Sequence, residues 1–279
     1  MATANGRYRV GFDIGGTFTD FVLYDADGAE VRVHKCLTTP DDPSLGALEG
    51  LNDLLAGAGL GTADVAHLIH GTTLVTNAII GRQGAKLALL TTRGFRYILE
   101  MGTEQRYDIH DLFLEFPDAL VPRALRRKID ERMSRDGDVV VALDDDQVLR
   151  EAAELVAAGV EAIAVCFLHA YKNPAHEQAV GDLIGQAYPG IAVSLSSDVQ
   201  PELREYERAS TTTANAYVQP LMQRYVDRLV EAFADQGFTG QFHLMQSAGG
   251  LVAPKTAVRY PIRLLESGPA GGGLATAFF

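Results

Sequence analysis

The stretch that most constrains this chain is "RYRVGFDIGGTFTDFVLYDADGAEVRVHK", Arg7 to Lys35. Apolar residues alternating at period two mark half-buried strands, and Tyr8–Ile14, Thr19–Tyr24 and Val31–Cys36 read as three in succession. An ordinary two-residue hairpin takes Asn-Gly or Asp-Gly. Here Gly15-Gly16-Thr17 joins the first two strands, with Asp13 and Asp20 on either side and hydroxyls at Thr17 and Thr19. After this meander, strands and helices alternate. Asp42 is a helix N-cap before Pro43, and Leu45, Leu48, Leu51 and Leu55 follow at helical spacing. A strand (Ala66–His70), a helix (Val75–Arg82) and a strand (Lys86–Thr91) come next. Residues 95–145 are irregular and charged, with a helix expected near Ala119–Arg127. Beyond them the pattern gives a helix (Asp144–Ala158), a strand (Ala162–Leu168), a helix (Pro174–Tyr188) and a strand (Ile191–Ser196). A helix over Glu202–Tyr217 is expected to break or kink at Pro220. A second helix then carries Leu221, Met222, Tyr225, Val226, Leu229, Val230 and Phe233 on one face, before a strand at Gln241–Gln246. Such alternation argues for an α/β layer structure.

The 279 residues, 47% hydrophobic and 22% charged, suffice for one large core or two smaller ones. A formal net charge of -12 argues against a nucleic-acid partner. The basic run Arg123–Lys128, flanked by Asp130 and Glu131, reads as a solvated face or a subunit contact. Cys36 and Cys166 lie inside strand-like runs without metal-ligand spacing and read as reduced thiols of a cytoplasmic protein. "MATANGRYRV" has no signal core, and the longest wholly apolar run, Ala162–Leu168, is too short to span a membrane.

Several residues can carry chemistry. Paired glycines let backbone N–H groups approach an oxyanion, Thr17 and Thr19 add hydroxyls, and Asp13 at a strand end suits a hydrated Mg²⁺. The same turn also reads as a tight one stabilised by its own side chains. His70-Gly71-Thr72-Thr73 ends a strand at the start of a helix; His70 and Thr72 either line a cleft, with Asn77 beside them, or merely cap the helix and bond backbone. Arg106 and Asp108 offer an anion partner or a surface ion pair. Glu205 and Arg208 stand at spacings typical of a solvated helix. Gln246-Ser247 and Glu266-Ser267-Gly268-Pro269-Ala270-Gly271-Gly272 each suit close backbone approach to a ligand or a tight crossover.

"GFDIGGTFTDFVLYD" resembles the first phosphate loop of the actin and sugar-kinase superfamily. More narrowly, it is similar to the hydantoinase A / 5-oxoprolinase family and its related ATP-dependent ketone carboxylase subunits. "HGTTLVTNAIIGRQGAKLALLTTRGFR", "SSDVQPELREYERASTTTANAYVQP" and "LMQSAGGL…LLESGPAGG" resemble further motifs of that family in the same order. The resemblance implies a ribonuclease-H-like (actin-like ATPase) lobe over 8–200, with an α/β insertion irregular near 95–145. Residues 201–279 would then supply linking helices and the start of a second lobe. ATP and Mg²⁺ are the implied cofactors, with Asp13, Gly15, Gly16, Thr17, Thr19, Gly268, Gly271 and Gly272 at the nucleotide. His70 and Thr72 would orient substrate, and Asn77, Arg106, Asp108, Glu205, Arg208, Gln246 and Ser247 would stand on the substrate side.

The implied reaction is ATP-dependent opening of a cyclic amide such as a hydantoin or 5-oxoproline, through phosphoryl transfer to the carbonyl oxygen. Phosphorylation of a ketone enol for carboxylation needs the same machinery and stays open beside it. A hydantoinase B-type partner subunit and an oligomer are also implied. The family's second phosphate loop would follow Gly273 and is missing. With the abrupt apolar end at Leu274–Phe279, this leads us to expect a fragment that is catalytically silent alone, binds nucleotide weakly and self-associates.

Overall fold

The computed structural model describes residues 7–25, 27–28, 30–39, 42–103, 105–106 and 108–276. Its strands are β1 (Tyr8–Ile14), β2 (Phe18–Asp25), β3 (Val31–Leu37), β4 (Val65–Thr72), β5 (Leu87–Thr92), β6 (Arg126–Ile129), β7 (Arg132–Met133), β8 (Val139–Val141), β9 (Ala162–Cys166), β10 (Ala192–Leu195), β11 (Gln241–Met245) and β12 (Leu251–Val252). Its helices are α1 (Pro43–Gly57), α2 (Leu74–Ile80), α3 (Ile98–Met101), α4 (Asp145–Ala157), α5 (Ala175–Ala187), α6 (Ser196–Val199), α7 (Glu205–Asp235), α8 (Pro254–Arg259) and α9 (Ser267–Thr276). They form two compact units, one of residues 1–83 with 221–279 and one of residues 84–220.

The discontinuous unit is built on a six-stranded sheet in the order β12-β11-β4-β1-β2-β3. β1, β2 and β3 form an antiparallel meander, whereas β4 runs parallel to β1 and β11 parallel to β4. Chain order is broken because β11 pairs with β4. In β2 buried and exposed residues alternate strictly, as period-two sequence requires. Helix α1 starts where Asp42 accepts from the Ser44 N–H at 3.1 Å and Pro43 fills the first turn. It buries Ala47, Leu51, Leu54 and Leu55. Gly50 lets it lie close to the sheet, since a Cβ there would stand 2.4 Å from the Phe21 ring. Stacked Phe12 and Phe21, with Phe233 and Phe242 edge-on to each other, fill the core on this face.

The second unit holds a wholly parallel sheet, β10-β9-β5-β6. Every residue of β5 and β9 is buried, which matches a sheet covered on both faces. Three expectations fail in whole or in part. The helix expected near Ala119–Arg127 is absent: Pro122 precedes one turn of 3-10 helix, and Arg126–Ile129 is recruited as β6 by pairing with β5. The basic run there is no uniform solvated face, because Arg126 is buried and donates to the Val121 carbonyl at 2.9 and 2.7 Å, and Arg127 lies 3.4 Å from Glu151. Nor does Pro220 break its helix. α7 runs through it, since buried Ala216, Tyr217 and Val218 before the proline and Met222, Tyr225 and Val226 after it outweigh one lost backbone bond. Both cysteines are free thiols within strands, and burial pushes Cys166 up to about 11. Among the described residues, no helix is long and apolar enough to cross a membrane. Residues 277–279 lie outside the described residues.

Candidate functional site: a carboxylate over a glycine cradle

The turn between β1 and β2 is held by its own backbone. The Gly15 N–H donates to the Phe18 carbonyl at 3.0 Å, the Thr38 N–H to the Thr17 carbonyl at 2.9 Å, and the Thr38 hydroxyl to the Gly15 carbonyl at 2.9 Å. Neither Gly15 nor Gly16 has the left-handed φ that would demand glycine. Gly15 is explained by crowding, because a Cβ would meet the Phe18 carbonyl at 3.1 Å. Gly16 is not: the nearest atom to a Cβ there is Asn77 Nδ2 at 3.9 Å, and the residue is exposed. The N–H groups of Gly16 and Thr17 have no protein acceptor among the described residues, while that of Gly15 is already used.

Asp13 closes one side of this turn. Its Oδ1 is buried and has no hydrogen-bond partner among the described residues. It lies over Gly71 at the end of β4, where a Cβ would stand 2.7 Å from that oxygen, and it faces Gly268, whose Cβ would stand 3.7 Å from Oδ2. Burial, and secondly the charge of Asp20, hold the Asp13 carboxyl above its usual range. The first turn of α9 is fixed here by Ser267, which is fully buried. Its hydroxyl donates to the Thr72 carbonyl at 3.1 Å and accepts from the Thr72 N–H at 3.2 Å. Thr76 bonds the Leu265 carbonyl just before it. A hard carboxylate oxygen without a partner, over a cradle that any side chain would fill, fits a hydrated divalent cation. The unused N–H groups of Gly16 and Thr17, with the start of α9, fit phosphate oxygens.

Other candidate residues have different work. His70 is fully buried, so it does not reach a cleft. Its Nδ1 lies 3.3 Å from the Phe12 carbonyl, which can only accept; Nε2 therefore accepts from the Tyr225 hydroxyl at 2.7 Å. Burial, slightly offset by that carbonyl, pushes His70 down to about 3, and the ring stacks on Phe12 at 4.3 Å. It is a neutral core histidine. The Thr72 hydroxyl caps α2 by accepting from the Leu74 N–H at 3.1 Å. Thr19 is fully buried, with its hydroxyl 3.0 Å from that of Thr38, so it is not exposed beside the turn as the sequence reading placed it. Gly271 is a packing glycine, with Met245 Sδ 2.8 Å from where its Cβ would be. Gly272 lies in α9. Asn77 is exposed near Gly16 and donates to the Thr73 hydroxyl at 3.2 Å. The Gln246 N–H donates to the Gly250 carbonyl at 2.8 Å and closes the β11–β12 turn, while the Ser247 hydroxyl donates to the Arg263 carbonyl at 2.8 Å.

The remaining candidates belong to the unit of residues 84–220. Arg208 is fully buried and donates to the Phe167 carbonyl at 2.6 Å, so it does not form the solvated helix face that its spacing suggests. Glu205 is half-buried at the start of α7. Arg106 donates to the Asp111 carbonyl at 2.7 Å and Asp108 accepts from the His110 N–H at 2.9 Å, which makes them local loop contacts rather than a pair with each other. Residues that the sequence reading left out of the site include Gly71 and Ser267, both of which sit inside the motifs quoted above.

This is a mixed α/β protein with parallel sheets and an unsatisfied carboxylate beside a glycine turn. It belongs to the hydantoinase/oxoprolinase family. The model of the hydantoinase/oxoprolinase N-terminal region matches residues 9–188, and that of hydantoinase/oxoprolinase matches residues 208–278. The chain is 36% identical over 271 residues to caprolactamase subunit alpha of Pseudomonas jessenii, covering 95% of itself and 39% of that protein. It is 31% identical to 5-oxoprolinase of Saccharomyces cerevisiae, covering 96% of itself and 23% of that protein. The nucleotide-free structure of acetone carboxylase superposes with a TM-score of 0.86 at 30% identity, over 97% of this chain and 40% of that one. The chain thus spans two fifths or less of the length of these relatives.

Proposed function

We propose that this chain is the phosphate-holding N-terminal part of an ATP-dependent enzyme subunit that opens a cyclic amide of the hydantoin, 5-oxoproline or lactam type. The observation that carries this reading is the buried Asp13 Oδ1 over Gly71, next to the N–H groups of Gly16 and Thr17, all without a partner among the described residues. The meander β1–β3 followed by parallel β4 and β11 supports a ribonuclease-H-like lobe of actin-like type. Relatives named as an ATP-dependent caprolactamase and as 5-oxoprolinase support the substrate class.

An amide carbonyl is a poor electrophile, and transfer of a γ-phosphoryl group to its oxygen gives an imidate-like phosphate whose carbon water can attack. The tetrahedral adduct then breaks the ring C–N bond, the nitrogen leaving with a proton as the amine, and a second water hydrolyses the acyl phosphate to carboxylate and phosphate. Mg²⁺ bound here would offset phosphate charge, and Asp13 would hold it through the oxygen that has no partner among the described residues. The Gly16 and Thr17 N–H groups orient phosphate oxygens without a side chain in the way, and Gly268 lets the first turn of α9 come close. Positioning and charge stabilisation are the share of these residues. His70 and Thr72 act indirectly, by fixing β1 against α7 and β4 against α2. A cytoplasmic location suits the two free thiols, and a hydantoinase B-type partner suits relatives that are themselves named as subunits.

The ketone-carboxylase reading shares this machinery and is supported by the superposition on acetone carboxylase. The test uses the full-length protein with its partner subunit, ATP, Mg²⁺ and two panels: cyclic amides, and ketones with bicarbonate. Ring opening coupled to ATP cleavage supports the first reading; carboxylation with an inert amide panel replaces it by the second. Gly16→Val should lower ATP turnover by about a hundredfold or more while the thermal midpoint barely moves. An unfolded Gly16→Val variant would show that the turn is structural.

A further inference from the structure

Antiparallel pairing sets Asp13 of β1 directly opposite Asp20 of β2, and Asp20 directly opposite Lys35 of β3. Residues so paired project from one face of the sheet. The neighbouring rows on this face are apolar: Val22 opposite Val33 on one side, Phe18 opposite Leu37 on the other, all exposed. One charged row, two carboxylates and an ammonium, therefore crosses an exposed apolar strip as far as Asp13, whose buried Oδ1, without a partner among the described residues, leans over Gly71 of β4.

Two features make this row more than a surface ion pair. Asp13 and Asp20 carry like charge on facing positions, an arrangement that destabilises a sheet unless something offsets it. Lys35 offsets only the outer one, with Nζ 2.6 Å from Asp20 Oδ1. The same ammonium also lies 4.7 Å from the centroid of the Phe18 ring, on the residue that closes the Gly15–Thr17 turn. A cation is thus parked between the second carboxylate and the turn.

We propose that Asp20 is the second carboxylate of the divalent-cation site at Asp13, and that Lys35 is its exchangeable counter-ion, which the incoming cation releases towards the phosphate. Nothing covalent changes in this exchange. The Asp20–Lys35 pair opens, Asp20 serves the hydration shell of the cation, and Lys35 gains phosphate oxygens as its new partners. Both residues are about half exposed, so the exchange needs no unfolding. The proposal rests on the phosphate-and-cation reading above, and its test separates the two.

The experiment titrates Mn²⁺ alone into the full-length protein, read by electron paramagnetic resonance, and then ATP without metal, read by calorimetry. The variants are Asp20→Asn and Lys35→Met. Asp20→Asn should weaken Mn²⁺ by about tenfold. Lys35→Met should tighten Mn²⁺ by about threefold, the size of an exposed ion pair, because Asp20 is freed. Metal-free ATP should bind Lys35→Met more weakly than wild type. Opposite signs in the two Mn²⁺ titrations are what a pair remote from the cation cannot give. Mn²⁺ affinity that shifts in one direction for both variants, stays unchanged, or is absent in wild type overturns the proposal. Should ATP bind normally in that case, the phosphate reading survives by itself. Should both Mn²⁺ shifts appear without any ATP binding, the carboxylate pair stands and the phosphate reading falls.

Discussion

Replacing Tyr225 by Phe tests whether His70 holds the fold rather than the substrate. Tyr225 is almost fully buried and its hydroxyl is the donor to His70 Nε2, because Nδ1 is committed to the Phe12 carbonyl. The variant keeps the ring and its packing but leaves one buried acceptor without a partner. That costs about 1–3 kcal/mol. Urea unfolding followed by circular dichroism reads it, since the chain has no tryptophan. Replacing both residues, His70→Phe with Tyr225→Phe, removes donor and acceptor together. The double variant should lose clearly less than the sum of the single losses.

The pH dependence supplies a second handle. His70 titrates at about 3 in the folded chain against an ordinary 6.5, so the unfolded state binds the extra proton between those values. Its contribution is complete above pH 6.5 and is lost as pH falls towards 3, at up to about 1.4 kcal/mol per pH unit. His70→Phe should therefore flatten the acid limb of the stability curve relative to wild type. A Tyr225→Phe variant that stays within about 0.5 kcal/mol of wild type, below the cost of a lost buried partner, would refute this account. So would one that keeps its stability but loses ATP turnover, because His70 would then be facing the chemistry.

Two further changes probe the site and the second unit. Gly71→Ala places a Cβ 2.7 Å from Asp13 Oδ1, so the carboxylate must move; the Mg²⁺ needed for half-maximal ATP turnover should rise about tenfold. Glu177 is fully buried and accepts from the Phe167 N–H at 2.8 Å, the Ser196 hydroxyl at 2.6 Å and the Ser197 N–H at 2.8 Å. Glu177→Gln turns an amide donor towards those donors and should cost about 2–3 kcal/mol in a thermal melt, with nucleotide affinity unchanged.

The parts of the fold that could be read in advance are those set by local pattern. β1 matches its expected bounds, and Asp42 with Pro43 starts α1 where the cap rules place it. The two carboxylates flanking the glycine turn were visible as a symmetric pair, and strand register makes them face each other. What escaped was set by distant partners. His70 depends on Tyr225, 155 residues away, and no local spacing reveals that a histidine will be sealed under a tyrosine hydroxyl. Arg208 has glutamates at helical spacing, yet it turns inwards to a carbonyl 41 residues earlier. Ala119–Arg127 reads as a helix until Pro122 and a single 3-10 turn interrupt it and β5 claims the backbone from Arg126 onward. In each case a tertiary contact outweighed a local preference worth a few tenths of a kcal/mol per residue.

The parallel-sheet unit of residues 84–220 begins and ends at one place: the Ala85 N–H donates to the Tyr217 carbonyl at 2.8 Å, and Gly84 lies against the Tyr217 ring. This bears on how the chain is made. Everything that unit needs is contiguous, so it can close as soon as its last turn has left the ribosome. The other unit must hold β1 to β4 unfinished until β11 emerges about 170 residues later, since only β11 covers the far edge of β4. At roughly 5–20 residues per second that delay is on the order of ten seconds or more, during which an open strand edge stands exposed. The Ala85–Tyr217 clasp confines the interruption. It holds the entry and exit of the insert together, so the waiting strands and their late partner are returned to one point, and the insert adds length to the loop without adding search space.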